Sequence, residues 1–264
     1  KVIGAAVLLM DRTEVWRLER VRQDFVANVS HELRTPIAAI RGWSETLATG
    51  EFGMTDFAKE QVLTINRHAE RLTALVNDLL TLARAESVGL QGRLVEVRLR
   101  VLIDEVLTHF AEEIESKQMR VTVSVAAEVE RIHTEPRALE YVLRNLIENA
   151  VKYSLDEGEV FITAEVRKKG RLRLSVRDTG QGIDKQHLPR LFERFYRVDK
   201  GRSRAVGGTG LGLAIVKHFA QALGGDVKVY SEVGEGSEFV VRLPRESWEV
   251  QPNVAAVPGG VGAA

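Results

Sequence analysis

The chain has 264 residues, 44% of them hydrophobic and 28% charged, enough for a core of about two domains at roughly 150 residues each and incompatible with wholesale disorder. Its 37 Lys and Arg balance 37 Asp and Glu, which argues against broad electrostatic binding to nucleic acid or to an anionic membrane. Cysteine is absent, excluding disulfide frameworks, thiolate zinc sites and thiol catalysis.

The first apolar run, Val2 to Met10, reads as a strand end. It is far below the ~20 residues of a membrane span and lacks the basic flank of a signal peptide. The sequence starts at Lys1 without an initiator Met, so a longer parent is expected. From Thr13 to Ala48 the pattern is helical, punctuated by Pro36 and Gly42 and ended by a turn at Thr49-Gly50 and Gly53. A second helix is predicted from Thr55 to Glu86, with Val62, Ile65, Ala69, Leu72, Leu75, Val76, Leu79 and Leu82 near heptad spacing. One such hairpin leaves its apolar stripe wet. Pairing with a second copy into a four-helix bundle is the economical cover, and packing against the C-terminal domain is the alternative.

Ser87 to Gly92 reads as a linker, after which helix and strand mix. Leu99–Ser116 is predicted helical, Val121–Val125 extended, and Pro136–Tyr153 helical with Pro136 in its first turn. Val160–Arg167 and Leu172–Asp178 alternate as strands joined through Lys168-Lys169-Gly170. Leu211–Leu223 is a helix stopped by Gly224-Gly225, and Asp226–Ser231 and Glu238–Leu243 are two further strands. Antiparallel strands with segregated helices predict an α+β sandwich. The uncharged segment Gln251–Ala264, rich in Ala, Gly, Val and Pro, reads as a tail.

His31 falls on the wrong face of its helix. At about 100° per residue from Phe25, the stripe Val29, Leu33, Ile37, Ile40 and Trp43 lies between about 0° and 120°, and His31 near 240°. A solvated surface histidine is the plain reading. Glu32 beside it offers a proton acceptor for one ring nitrogen, leaving the other as nucleophile. Thr35, at i+4, shares its face, and the absence of a second His at that position rules out a zinc pair. Pro36 should bend the helix one turn on.

The helix Pro136–Tyr153 carries Asn145, Glu148, Asn149, Lys152 and Tyr141 within an arc of about 100°. A solvated face is the plain reading here too, yet asparagine is a mediocre helix former. Amide oxygens are hard ligands suited to Mg²⁺ shared with phosphates, and Lys152 supplies positive charge. Asp178-Thr-Gly-Gln-Gly-Ile183 ends a strand with a carboxylate able to accept from an exocyclic amine. Gly207-Gly-Thr-Gly-Leu-Gly212 opens a helix, as a phosphate cradle does. It is neither a Walker loop nor a good dinucleotide fingerprint. The preceding stretch, with Lys200, Arg202 and Arg204, suits a mobile lid over a polyanion.

Five motifs in this order resemble the sensor histidine kinases of two-component systems, in particular their phosphate-sensor-like class. His31-Glu-Leu-Arg-Thr-Pro36 resembles the H box, Asn145-Leu-Ile-Glu-Asn-Ala-Val-Lys-Tyr153 the N box, Asp178–Gly182 the G1 box, Leu191–Tyr196 the F box and Gly208–Gly212 the G2 box. The resemblance covers about Gln23 to Pro244. Asp11-Arg12-Thr13-Glu14 resembles the exit from a PAS-type sensor domain.

The resemblance implies a remnant of that sensor at 1–12, a hairpin for dimerisation and histidine phosphotransfer at 13–86, and the linker at 87–92. A catalytic α/β sandwich of Bergerat type follows at 93–246, and a disordered tail at 247–264. It implies ATP and Mg²⁺ as cofactors, autophosphorylation of His31, transfer to an aspartate of a response regulator receiver domain, and phosphatase activity toward that regulator. In this reading Glu32 is the base and Thr35 orients the water of dephosphorylation. Asn149 holds the metal, Asn145 lies close to it and to the phosphates, Lys152 and Arg197 meet phosphate, Tyr153 flanks the adenine and Asp178 accepts from its amine. Gly180, Gly182 and Ile183 shape the adenine side, and Gly208, Thr209, Gly210, Leu211 and Gly212 the phosphate side. A homodimer, an upstream sensor, no nucleic acid and a cytoplasmic portion of a membrane-anchored parent complete the expectation. With His31 and the nucleotide on different domains, a hinge brings them together.

Two rival readings compete. A chaperone-type or mismatch-repair-type ATPase accounts for the Asn and Gly motifs but leaves His31 idle. A scaffold that binds nucleotide without turnover sits badly with intact Asn149, Asp178 and Gly210.

Overall fold

The computed structural model describes residues 29, 33–47, 56–87, 94–198 and 208–248. The expected sensor remnant, His31, Glu32, the hairpin turn, the greater part of the 87–92 linker, the basic stretch 199–207 and the tail beyond 248 lie outside the described residues. The chain divides into two compact units, Lys1–Asn77 and Asp78–Ala264.

In the first unit, helix α1 covers 33–47, with Pro36 buried inside it and Thr35 exposed. Helix α2, Asp56–Ser87, matches the heptad pattern almost to the residue and continues past the unit boundary. Ala58, Gln61, Leu75 and Leu82 form its buried seam. Ile37 of α1 and Val62, Leu63, Val76 and Leu80 of α2 are exposed, so the flanking half of the apolar stripe is left uncovered among the described residues.

The second unit opens with strand β1, Val95–Arg98, whose pairing with a later strand the sequence reading missed. Helices α3, Leu99–Thr108, and α4, Ala111–Ser116, replace the single helix expected over Leu99–Ser116. The chain leaves helical torsions at Phe110 (φ −113°, ψ 7°), and this break lets both Phe110 and Ile114 pack against the core. Strand β2, Arg120–Val125, strand β3, Arg131–Thr134, and helix α5, Pro136–Tyr153, follow. Strands β4, Glu159–Arg167, and β5, Arg171–Asp178, form the expected hairpin. Its turn has positive φ at Lys169 (66°) and Gly170 (69°), the torsions that match strand twist in a tight hairpin. Helix α6, Gly212–Ala222, and strands β6, Asp226–Glu232, and β7, Gly236–Leu243, complete the unit.

The main sheet has five strands in the order β2-β4-β5-β7-β6. It is mixed rather than wholly antiparallel, because β2 runs parallel to β4. β1 and β3 form a separate antiparallel ladder. One face of the sheet presents Val160, Ile162, Leu172, Leu174, Val176, Phe239 and Val241 to Ile103 of α3, Leu139, Leu143, Leu146 and Ile147 of α5 and Val216 of α6. Burial of each such Leu or Ile contributes roughly 1.5–3 kcal/mol. The opposite face is polar, with a Thr163–Ser175 hydroxyl pair at 2.7 Å and Arg173 bridging Glu165 and Glu238.

The folded part runs past the expected boundary at 246. Trp248 is buried, and its carbonyl accepts from the His133 N–H at 2.8 Å. No helix among the described residues is long and apolar enough to cross a membrane.

Candidate nucleotide site

Helix α5 is fixed at both ends. The Glu135 carboxylate caps its first turn by accepting from the Ala138 N–H, and Pro136 supplies a preset first-turn φ. At the other end Lys117 Nζ donates to the carbonyls of Val151 (2.7 Å) and Lys152 (3.3 Å), placing a cation at the negative end of the helix. Its apolar face, Leu139, Val142, Leu143, Leu146, Ile147, Ala150 and Val151, is buried. The other face therefore holds Tyr141, Asn145, Asn149 and Lys152 half-buried, as the helical arc predicted.

Asn145 Nδ2 donates back to the Tyr141 carbonyl at 3.4 Å. Its Oδ1 is set against the start of α6, where a Cβ on Gly212 would overlap it. A Cβ on Gly208 would stand 3.4 Å from Lys152 Nζ and 4.0 Å from Arg197 Nη2, so two cations and the Asn145 amide converge on the 208–212 loop. Burial pulls the Lys152 ammonium below its ordinary pKa; the Glu148 charge opposes this and the Arg197 charge, to a lesser degree, adds to it. A half-buried ammonium beside a guanidinium suits the binding of an anion.

Asp178 ends β5 and is almost fully buried. Its Oδ1 accepts from the Gly180 N–H at 2.9 Å and the Ser237 N–H at 3.2 Å. Burial raises its pKa, and these backbone donors work against the rise. The loop that follows is seated on α5, since a Cβ on Gly180 would overlap the Tyr153 carbonyl oxygen. Ile183 N–H donates to Ser231 Oγ at 2.8 Å, joining the Gly180–Gly182 loop to β6. Tyr153 is partly exposed beside it, with Lys152 Nζ 5.8 Å from its ring centre.

The segment Leu191–Tyr196 is a turn rather than a helix. Phe195 takes a left-handed φ of 62°, and its N–H donates to the Gly210 carbonyl at 2.8 Å. Non-glycine residues hold that torsion only where surrounding structure imposes it. This bond joins the turn to the glycine loop. Tyr196 is held by His187 Nδ1 at 2.7 Å from its hydroxyl and by Arg190 stacked 4.3 Å above its ring.

Of the expected site residues, Asn145, Lys152 and Arg197 meet the Gly208–Gly212 loop, and Asn149 lies half-buried one turn past Asn145 on α5. Tyr153, Asp178, Gly180, Gly182 and Ile183 surround the neighbouring sheet end. Leu211 has a fully buried side chain, so its contribution there is a backbone one. Thr35 lies in the first unit. Sequence reading missed Lys117 and Asp78. Asp78 sits on α2, accepting from Tyr141 Oη at 2.9 Å and Thr209 Oγ1 at 2.5 Å. These bonds span 63 and 131 residues, a separation at which periodicity carries no signal. The end of α2 from Asp78 onward groups with the second unit.

A mixed sheet covered on one face by helices, with an asparagine helix, a buried strand-end aspartate and a glycine loop opening a helix, defines a nucleotide-binding sandwich. Residues 134–247 match the family described as histidine kinase-, DNA gyrase B- and HSP90-like ATPase. Residues 21–88, which include His31, match the His Kinase A (phospho-acceptor) domain. The sensor protein SrrB of Staphylococcus aureus (strain MRSA252) is 35% identical over 243 residues, covering 92% of this chain and 41% of SrrB. Among solved structures, full-length ShkA in complex with AMPPNP is 31% identical, covering 84% of this chain and 45% of ShkA with a TM-score of 0.62. Histidine kinase ThkA, solved with the response regulator protein TrrA, shares the fold at 23% identity and a TM-score of 0.69, covering 92% of this chain and 69% of ThkA. The chain belongs to the sensor histidine kinases of two-component systems, and it spans about 41% of the length of the curated relatives it matches.

Proposed function

We propose that this chain binds ATP between α5 and the 208–212 loop, phosphorylates its own His31 and passes the phosphoryl group to an aspartate of a response regulator. The observation that carries this reading is the convergence of Asn145, Lys152 and Arg197 on a glycine loop at a helix start, with Asn149 half-buried one helical turn past Asn145 and a buried carboxylate, Asp178, at the neighbouring sheet end. The loop N–H groups and the two cations suit a triphosphate, and Asp178 suits the amine of an adenine ring. The AMPPNP bound by ShkA supports the choice of nucleotide.

The donor set also fits Mg²⁺. Among the described residues no cluster of three or more His, Asp or Glu could hold a metal ion. The half-buried amide oxygen of Asn149 is the hard ligand available, with Asn145 beside the phosphates, and Mg²⁺ is typically held by one or two protein oxygens plus phosphates and waters. Bound there, the ion would supply positive charge to the phosphates.

A ring nitrogen of His31 attacks the γ-phosphorus and the bond to the β–γ bridging oxygen breaks. ADP leaves with that electron pair, and Glu32 takes the proton from the other ring nitrogen. The product is a phosphoramidate on His31. Positioning and charge stabilisation supply most of the catalysis in such transfers. Thr35, exposed and four residues after His31 in the sequence, suits the orientation of water for dephosphorylating the regulator. The uncovered apolar residues Ile37, Val62, Leu63, Val76 and Leu80 support a homodimer through the helical hairpin. ThkA, alike in fold and solved with TrrA, supports a receiver-domain partner. An upstream sensor and a membrane-anchored parent belong to the same reading.

Incubation with ATP labelled in turn at the γ- and the α-phosphate tests it. The γ-label is expected on the protein, lost in acid and stable in base, and the α-label absent. ATP hydrolysis with no protein label would favour the chaperone-type ATPase instead.

A further inference from the structure

We propose that Asp78 is an acidic brake on nucleotide binding: its carboxylate, held by Tyr141 and Thr209, opposes the entry of a triphosphate into the 208–212 loop. This deepens the ATP reading of the same site and rests on it.

Asp78 lies in the part of α2 that groups with the second unit. Its Oδ1 accepts from Tyr141 Oη at 2.9 Å, and its Oδ2 accepts from Thr209 Oγ1 at 2.5 Å. The two donors come from the two walls of the candidate phosphate site. Tyr141 stands one turn before Asn145 on α5, its ring edge-on to Phe219 of α6 at 5.4 Å. Thr209 follows Gly208, where a Cβ would stand 3.4 Å from Lys152 Nζ and 4.0 Å from Arg197 Nη2, and its Oγ1 accepts from the Leu211 N–H at 3.1 Å. The carboxylate therefore ties the loop to α5 through the loop's own hydroxyl. It also places a negative charge one residue from the glycine on which the cations converge.

Charge and geometry act in the same direction. A triphosphate brings three to four negative charges to this loop, and a fixed carboxylate in a half-buried position is poorly screened from them. To turn its hydroxyl toward a phosphate oxygen, Thr209 must leave Asp78. An unbound loop is thus held in place at a cost to affinity for phosphates, while adenosine, which lacks them, meets no such cost.

Asp78→Asn removes the charge and keeps the size and an acceptor for one hydroxyl. Affinities of the 264-residue chain for ATP and for adenosine, by calorimetry, separate the brake from a merely structural bond. Asp78→Asn is expected to bind ATP about tenfold more tightly at low salt, with that gain shrinking at high salt, and to bind adenosine as wild type does. Asp78→Glu, which keeps the charge, is expected to stay near the wild-type ATP affinity. ATP affinity that is unchanged or weakened in Asp78→Asn, in a wild type that does bind ATP, overturns the brake alone. An equal gain for adenosine and ATP also overturns it, because the effect would not be one of charge. Wild type that binds neither compound overturns the nucleotide reading and the brake with it.

Discussion

Asp178→Asn is expected to leave the fold intact and to weaken ATP binding by roughly a hundredfold, about 3 kcal/mol. In the native site the carboxylate Oδ1 is committed to the Gly180 and Ser237 N–H groups. An asparagine keeps those bonds with its own oxygen and so presents an NH₂ group where the adenine amine must donate. Two donors then face each other in a buried site, and neither is satisfied. A site built to pair with a polar group rejects the unpaired arrangement strongly.

Stability moves the other way. Burial raises the Asp178 pKa above its ordinary value of 3.8, so the folded state holds the proton more tightly than the unfolded state. Below the unfolded pKa both states are protonated and no penalty arises. As pH climbs from there through the raised folded pKa, stability falls, and above it the full penalty remains. The neutral asparagine never incurs it. Thermal unfolding from about pH 3 to about pH 8 should show Asp178→Asn with a melting temperature equal to or above wild type at neutral pH, and a smaller loss on going up from about pH 4. A marked fall in melting temperature at neutral pH would mean that the carboxylate is a structural brace.

Gly212→Ala is the second large effect, and it acts on one side chain. The three atoms nearest a Cβ at this position all belong to Asn145, whose Oδ1 it would overlap and whose Cγ would stand 3.1 Å away. Gly212 does not need a left-handed torsion, since it is absent from the positive-φ glycines, and alanine favours a helix start more than glycine does. The strain is therefore relieved by displacing the Asn145 amide, with the backbone undisturbed. The melting temperature should stay within a few degrees of wild type, and ATP affinity should fall at least about tenfold, the loss of one charge-assisted hydrogen bond. In an Asn145→Ala background the same substitution should cost nothing further, because the group it displaces is already gone. An additive loss in that background would show that Gly212 acts through something other than Asn145.

Elements whose residues repeat at one period were the legible ones. The heptads of α2 and the apolar stripe of α5 placed both helices to within a residue, and the alternation about Lys168-Lys169-Gly170 placed the β4–β5 hairpin. Four-residue strands such as β1 and β3 are too short for a repeat to stand out, and each carries two charged or titratable residues among its four. Their pairing, Val95 with Thr134 and Arg98 with Arg131, is decided by what packs beneath. The break at Phe110 has the same origin, because no Gly or Pro marks it and only the packing of Phe110 into the core accounts for it.

The candidate site divides along the same line. Asn145, Asn149 and Lys152 were readable because polar residues in line on an otherwise amphipathic helix contradict its packing logic. Asp178 and the glycines were readable from their places at a strand end and a helix start. Lys117 was not, because its role is to cap a helix 34 residues away. Asp78 was not, because an acid on the flank of a heptad looks like an ordinary solvated charge.

The central claim is that the phosphate placed by this site ends on His31, and the tryptic peptide Gln23–Arg34 reports it directly. It holds His31 and no other histidine, along with Ser30 as a built-in control for acid-stable phosphate. After incubation with ATP and Mg²⁺, and digestion at neutral pH, this peptide from wild type should carry one phosphate on the imidazole, lost on brief acid treatment, and His31→Gln should carry none. An unmodified peptide from protein that demonstrably binds ATP, or the same acid-labile phosphate in His31→Gln, would contradict the account.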